Sequence, residues 1–164
     1  MTSLYRLAPL LALALAAPLA AKDSLGMFDS WGAFRDSNVP RCYAIAKPEP
    51  SKLARDYEPY VAIGTWPKRG LRGQVHFRLS RKMAANALIT LVVGDRRFEL
   101  TGGGGDAWAQ DKAMDAAIVA AMRSAGSMVI GASDASGKRF SNTYDLAGAA
   151  TAMDAATVGC ARYR

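Results

Sequence analysis

The chain has 164 residues, 51% of them hydrophobic, and a formal charge of +7 with a single histidine, His76. That length supports one domain with a substantial core and excludes a disulfide-dense miniprotein. Two cysteines without a CxxC pair, together with one histidine, exclude the usual four-ligand metal sites, and no cofactor motif is present.

The opening "MTSLYRLAPLLALALAAPLAAKDS" places Arg6 before an apolar run from Leu7 to Leu19 and closes on small residues. A positive start, an apolar middle and an Ala-rich end predict a secretory signal peptide over 1–21. Cleavage is expected after Ala21, with Leu19 and Ala21 at the recognition positions; Ala20 and Ala16 are the alternatives. A spanning helix needs about 20 apolar residues, more than this run offers, and Pro9 and Pro18 interrupt it. The competing readings are a buried N-terminal helix and a retained anchor. Removal leaves a single domain over 22–164, about 143 residues at roughly +6, with no later apolar run of spanning length. In an oxidising compartment Cys42 and Cys160 are expected to join in one disulfide that closes a loop of about 118 residues. Two separate buried thiols are the alternative. The product is placed in the periplasm or envelope, or secreted.

Along the remaining chain, "FDSWGAFRD" offers Trp31 and Phe34 as strand or strand-edge anchors, and "CYAIAKP" reads as a strand stopped by Pro48. "EPSKLARDYEP" reads as a loop, and "YVAIGTW" as a strand ended by Pro67, which holds Trp66 extended. "GQVHFRLS" alternates Val75, Phe77 and Leu79 with Gln74, His76 and Arg78, the period of a strand with one wet side. "NALITLVVGDRRFELTG" predicts a hairpin with Gly94-Asp95 as a type II′ turn. After four glycines, Gly102 to Gly105, Asp111 caps a helix whose apolar face is Met114, Ala117, Ile118, Ala121, Met122 and Ala125, with Gly126 as its left-handed terminator. "SMVIGAS", a turn at Ser136-Gly137 and "RFSNTYDL" repeat the strand signal. Ala147 to Val158 reads as a short helix delivering Cys160. About eight strands and two short helices predict a mainly β fold, an antiparallel β-sandwich or flattened barrel. The expected core is Tyr43, Ile45, Val61, Ile63, Val75, Phe77, Leu79, Leu91, Val93, Phe98, Leu100, Trp108, Ile118, Met122, Val129, Ile130 and Leu146.

In order, "FDSWGAF", "RCYAIAKP", "VVGDRRFEL", "DAWAQDKAMDAAIVAAMRSAGSMVIGAS", "NTYDLAGAATAM" and a late "GC" resemble bacterial proteins of the invasion-associated locus B family. The resemblance covers most of the chain beyond the leader and is most specific from Phe98 through Leu146. It implies an exported, β-rich envelope protein, and it brings no catalytic residues to carry over. The Gly102 to Gly105 run departs from the family pattern, where a bulkier segment is expected.

The glycine run lacks the motifs of a phosphate loop, and Asp106 and Asp111 would oppose an anion there, so it reads as a flexible connecting loop. His76, on the wet face of its strand without a nucleophile elbow, reads as an exposed surface histidine rather than a general base. Asp111 and Asp115 share a helix face, which capping and solvation explain without an acid–base pair. The strongest functional signal is a basic band of Lys68, Arg69, Arg72, His76, Arg78, Arg81 and Lys82, extended by Arg96 and Arg97 at the hairpin; no acidic residue occurs from Thr65 to Val93. Such a surface suits an anionic envelope lipid, a polysaccharide or an acidic envelope protein rather than nucleic acid, with Trp66 beside it to stack on a sugar or anchor at an interface. A plain solvated face, with Trp66 in the core, is the alternative. The expectation is a non-enzymatic binding module that needs no cofactor. A hydrolase of envelope polymer and a structural subunit recognised through a strand edge are its rivals.

Overall fold

The alternation of Val75, Phe77 and Leu79 with Gln74, His76 and Arg78 sets the central strand, with the first three fully buried. Each such side chain contributes about 1.5–3 kcal/mol by leaving water. The computed structural model describes residues 22–161, so the expected leader lies outside the described residues. Ten strands follow in chain order: β1 (Asp23–Phe28), β2 (Trp31–Asp36), β3 (Arg41–Ala46), β4 (Tyr60–Trp66), β5 (Leu71–Arg78), β6 (Ile89–Val93), β7 (Arg96–Gly103), β8 (Asp106–Trp108), β9 (Ser127–Ser133) and β10 (Arg139–Asp145). Helix α1 (Lys112–Met122) precedes β9, and α2 (Ala149–Gly159) follows β10.

All neighbours pair antiparallel in the order β1-β2-β3-β4-β5-β8-β7-β6-β9-β10. The sheet folds over on itself. The Trp31 indole N–H donates to the Asp145 carbonyl at 2.9 Å, and the Phe77 and Tyr144 rings meet edge-on at 6.0 Å, bringing β10 across from β2 and β5. The result is the mainly β, sandwich-like antiparallel architecture that the strand pattern predicts.

Two strands escape the sequence pattern. Strand β1 pairs with β2 through a turn at Asp29-Ser30, with Asp29 at φ 50°. Strand β8 is three residues long and pairs with β7 across the turn Gly104-Gly105, Gly104 taking φ 63°. The glycine run is therefore no flexible loop. Its carbonyls are acceptors, Gly105 for the Leu79 N–H at 2.7 Å and Gly104 for the Met83 N–H at 2.6 Å. The expected β6–β7 hairpin forms with Gly94 at φ 58° and no positive φ at Asp95, the sign pattern of a type II′ turn.

Helix α2 packs on β1, β2 and β3 and ends at Cys160, which is bonded to Cys42 with Cα atoms 5.7 Å apart. Small residues line both sides of this contact: Ala33, Cys42, Ala44 and Ala46 on the sheet, Ala149, Ala152 and Ala156 on the helix, all buried. This register corrects four core expectations. Tyr43 and Ile45 alternate with the buried small residues and so face outward, half-buried. Trp108 and Val129 are exposed, and Met128 and Ile130 turn inward on β9 instead.

Helix α1 is capped by Asp111, whose carboxylate accepts from the Met114 N–H at 2.7 Å. It stops at Met122 with Arg123 in right-handed geometry, so Gly126 is not its left-handed terminator. Asp115 is not solvated, as the pairing with Asp111 suggested, but buried, and it accepts from the Val75 N–H at 2.8 Å. The short β8 pairs only with His76 to Arg78, so the edge of β5 at Val75 is left to α1 and this carboxylate. Desolvation raises the Asp115 pKa above the usual carboxylate range, outweighing the bond from Val75.

Candidate functional site

The outer face of β3, β4, β5 and β8 carries the site, and the register dictates what lies beside what. One row across the strands is Phe34, Tyr43, Gly64 and Gln74; the next is Ile45, Ala62, His76 and Trp108; the third is Tyr60, Arg78 and Asp106. Outward positions of β4 thus run Tyr60, Ala62, Gly64, Trp66, large at both ends and small between. A side chain at position 64 would collide with the Trp66 ring, so the indole reclines over the glycine backbone. Small residues in mid-strand make a depression, and the flanking rings wall it.

The depression is a cleft of about 320 Å³ lined by Lys22, Arg41, Tyr43, Ile45, Tyr60, Ala62, Gly64, Trp66, Gln74 and His76. That volume lies at the lower end of ordinary ligand pockets. Among the described residues no carboxylate lines it. Lys22 has no ion pair among the described residues. Among the described residues, Arg41 pairs with Asp36 alone, at a long 3.4 Å, stands 5.1 Å over the Tyr43 ring, and has a buried Nε–H that meets no partner. The Phe34 and Tyr43 rings stack at 5.8 Å, which continues the aromatic surface to β2.

At the other side of the cleft sits a charge network. His76 Nε2 lies 2.9 Å from Asp106 Oδ1, and Arg78 donates to the other oxygen of the same carboxylate. The Trp108 ring stacks on the imidazole at 5.0 Å, and Tyr60 meets it edge-on at 5.5 Å. Arg78 also lies 3.9 Å over Tyr57, whose ring rests against Gly105. His76 is thus half-buried and partnered, not the exposed surface histidine that its strand face suggested.

Within the basic band, His76 and Arg78 meet on Asp106, and its other members have different partners and surroundings. Arg81 forms an ion pair with Asp134 at 2.8 Å. That carboxylate also accepts from the Ser136 hydroxyl at 2.6 Å and from the Ser136 and Lys138 backbones, and these bonds, Ser136 first, hold its pKa below the ordinary value. Lys68 and Arg69 are exposed on a short 3₁₀ turn, Pro67–Arg69. Arg72 lines a smaller, mostly apolar pocket of about 110 Å³ beside the two helices. Lys82 is exposed, its backbone N–H held by Asp56. Arg96 donates to the Ala117 carbonyl and stands 5.1 Å over Phe98. Arg97 lies with Arg139 on a separate groove over β6 and β9. The cations of the cleft, Lys22 and Arg41, lie outside the band. The outward alternation of "RCYAIA" around Cys42 was the signal that could have found Arg41 and Tyr43.

Trp66 is half-buried on the outer face rather than in the core, and it lines the cleft with Arg41. Among the described residues no group of three His, Cys, Asp or Glu is placed to hold a metal ion, and no helix is long and apolar enough to cross a membrane. Comparisons with family models, with curated proteins and with solved structures find no match.

Proposed function

We propose that the protein is an exported, non-enzymatic, envelope-associated binding module that holds an anionic ligand in the outer-face cleft. One observation carries this reading: Lys22 and Arg41 stand in a ring-walled cleft that no carboxylate lines among the described residues. Lys22 has no ion pair among the described residues and Arg41 meets Asp36 at a long 3.4 Å; such cations attract anions at long range, and an arginine fork binds carboxylate or phosphate oxygens in pairs. The buried Cys42–Cys160 bridge supports an oxidising compartment, and the ordered motifs resembling the invasion-associated locus B family support the envelope.

Binding is favoured over catalysis because the one imidazole is committed. Its Nε2 meets Asp106, and its ring is flanked by Trp108 and Tyr60. Retention on heparin-agarose tests the reading. The double variant Lys22→Gln, Arg41→Gln is expected to elute at markedly lower salt. Lys82→Gln with Arg97→Gln, the same loss of charge away from the cleft, is expected to shift elution far less. Equal shifts would reduce the attraction to net charge and remove the cleft from the account.

A further inference from the structure

We propose that the cleft's ligand is an acidic polysaccharide, a polymer whose sugar rings carry carboxylate groups; this rests on the reading of the cleft as an anion site. The lining sorts the possible anions. Aromatic faces pack against the C–H face of a pyranose, and here the Trp66 indole covers Gly64 on β4 and lines the cleft with Tyr43 and Tyr60. Gln74 adds an amide that can both donate to and accept from sugar hydroxyls. Lys22 and Arg41 supply the complement to carboxylates.

A lipid fits less well. Among the described residues, Ile45 and Ala62 are the only aliphatic side chains in the lining, little for an acyl chain to pack on. A bare polyanion such as an acidic peptide would use the cations and leave the rings idle. Length also matters. The aromatic surface runs past the cleft at both sides, to Phe34 on β2 and to Trp108 on β8, the latter 37% exposed. Rings spread over five adjacent strands suit successive sugars of a chain better than a single monosaccharide.

Calorimetric titration of the disulfide-bonded protein with polygalacturonate, its methyl ester, polyglutamate and phosphatidylglycerol vesicles is the test. Polygalacturonate is expected to bind, weakening with salt, at least about ten-fold better than the uncharged ester and than polyglutamate of equal charge, the order of magnitude that one base stacked on an aromatic ring contributes. Trp66→Ala and Arg41→Gln are each expected to lose about ten-fold, and Trp66→Phe, which keeps a ring, to recover most of that loss. Thermal melts of each variant establish that the fold persists. Equal binding of polyglutamate, or no loss in Trp66→Ala, would overturn the sugar assignment while leaving an anion site. Binding of vesicles without polygalacturonate would overturn it in favour of a membrane surface. Unchanged affinity for every probe in Arg41→Gln would overturn both the sugar assignment and the cleft reading beneath it.

Discussion

Asp115 illustrates how a residue's spacing and its environment can disagree. At i, i+4 from Asp111 it reads as a solvated helix residue, but it is buried and holds the Val75 N–H at an uncovered sheet edge. No local pattern announces this, because the reason lies in β8, three residues long and remote in sequence. The carboxylate is an acceptor the fold needs and a charge it disfavours, and substitution separates the two. Asp115→Ala leaves a buried N–H unsatisfied and is expected to cost about 1–3 kcal/mol. Asp115→Asn keeps an acceptor oxygen without the charge and is expected to be neutral or stabilising at pH 7. The sign with pH follows from the raised pKa. The wild-type side chain contributes most below its unfolded value of 3.8, and that contribution is lost as pH rises through the higher folded value. The advantage of the Asn variant should therefore be present at neutral pH and shrink on acidification towards 3.8. Urea melts of both proteins between pH 3.5 and 7 read it directly, and an Asn advantage that grew on acidification would contradict the assignment.

At the level of elements, strand periodicity was legible and its sidedness was not. The alternation in β5 and the apolar runs of β6 and β7 name their buried faces without help. In β3 the larger residues, Tyr43 and Ile45, point the wrong way for a guess based on size, because the space behind them is narrow. Helix α2 sits close over Ala33, Ala44 and Ala46, and only small side chains fit. The candidate site was hidden by the same inversion. Two of its rings, Tyr43 and Trp108, are ones that a size-based reading assigns to the core, and its acid, Asp106, reaches His76 and Arg78 across a glycine hairpin that looks like a loop. The inversion has a measurable consequence. Ala44→Leu, overpacking the α2 contact, is expected to destabilise by about 1–3 kcal/mol. Ile45→Ala, on the outer face, is expected to cost clearly less than the 2–5 kcal/mol typical of a buried isoleucine. Chemical denaturation midpoints of the two variants decide the matter. A larger loss at position 45 would place Ile45 in the core and reverse the register.

Across the whole molecule, the disulfide joins stability to the proposed site. Cys42 lies between Arg41 and Tyr43 on a strand whose side chains alternate, so its sulfur faces α2 while its neighbours face the cleft. The bridge thus fastens, from behind, the strand that presents a cation and an aromatic wall. It also closes 118 residues, a loop long enough that the chain-entropy account gives about 4–5 kcal/mol of stabilisation. Two losses are expected on reduction, or in the double variant Cys42→Ala, Cys160→Ala. The guanidinium denaturation midpoint should fall by an amount of that order. In conditions where the reduced protein remains folded, affinity for polyanion should also fall, because β3 then loses its covalent tie to α2. Denaturation curves and heparin retention, each with and without dithiothreitol, measure the two losses separately. If the midpoint falls while retention is untouched, the bridge serves the fold alone, and the cleft does not depend on how β3 is held.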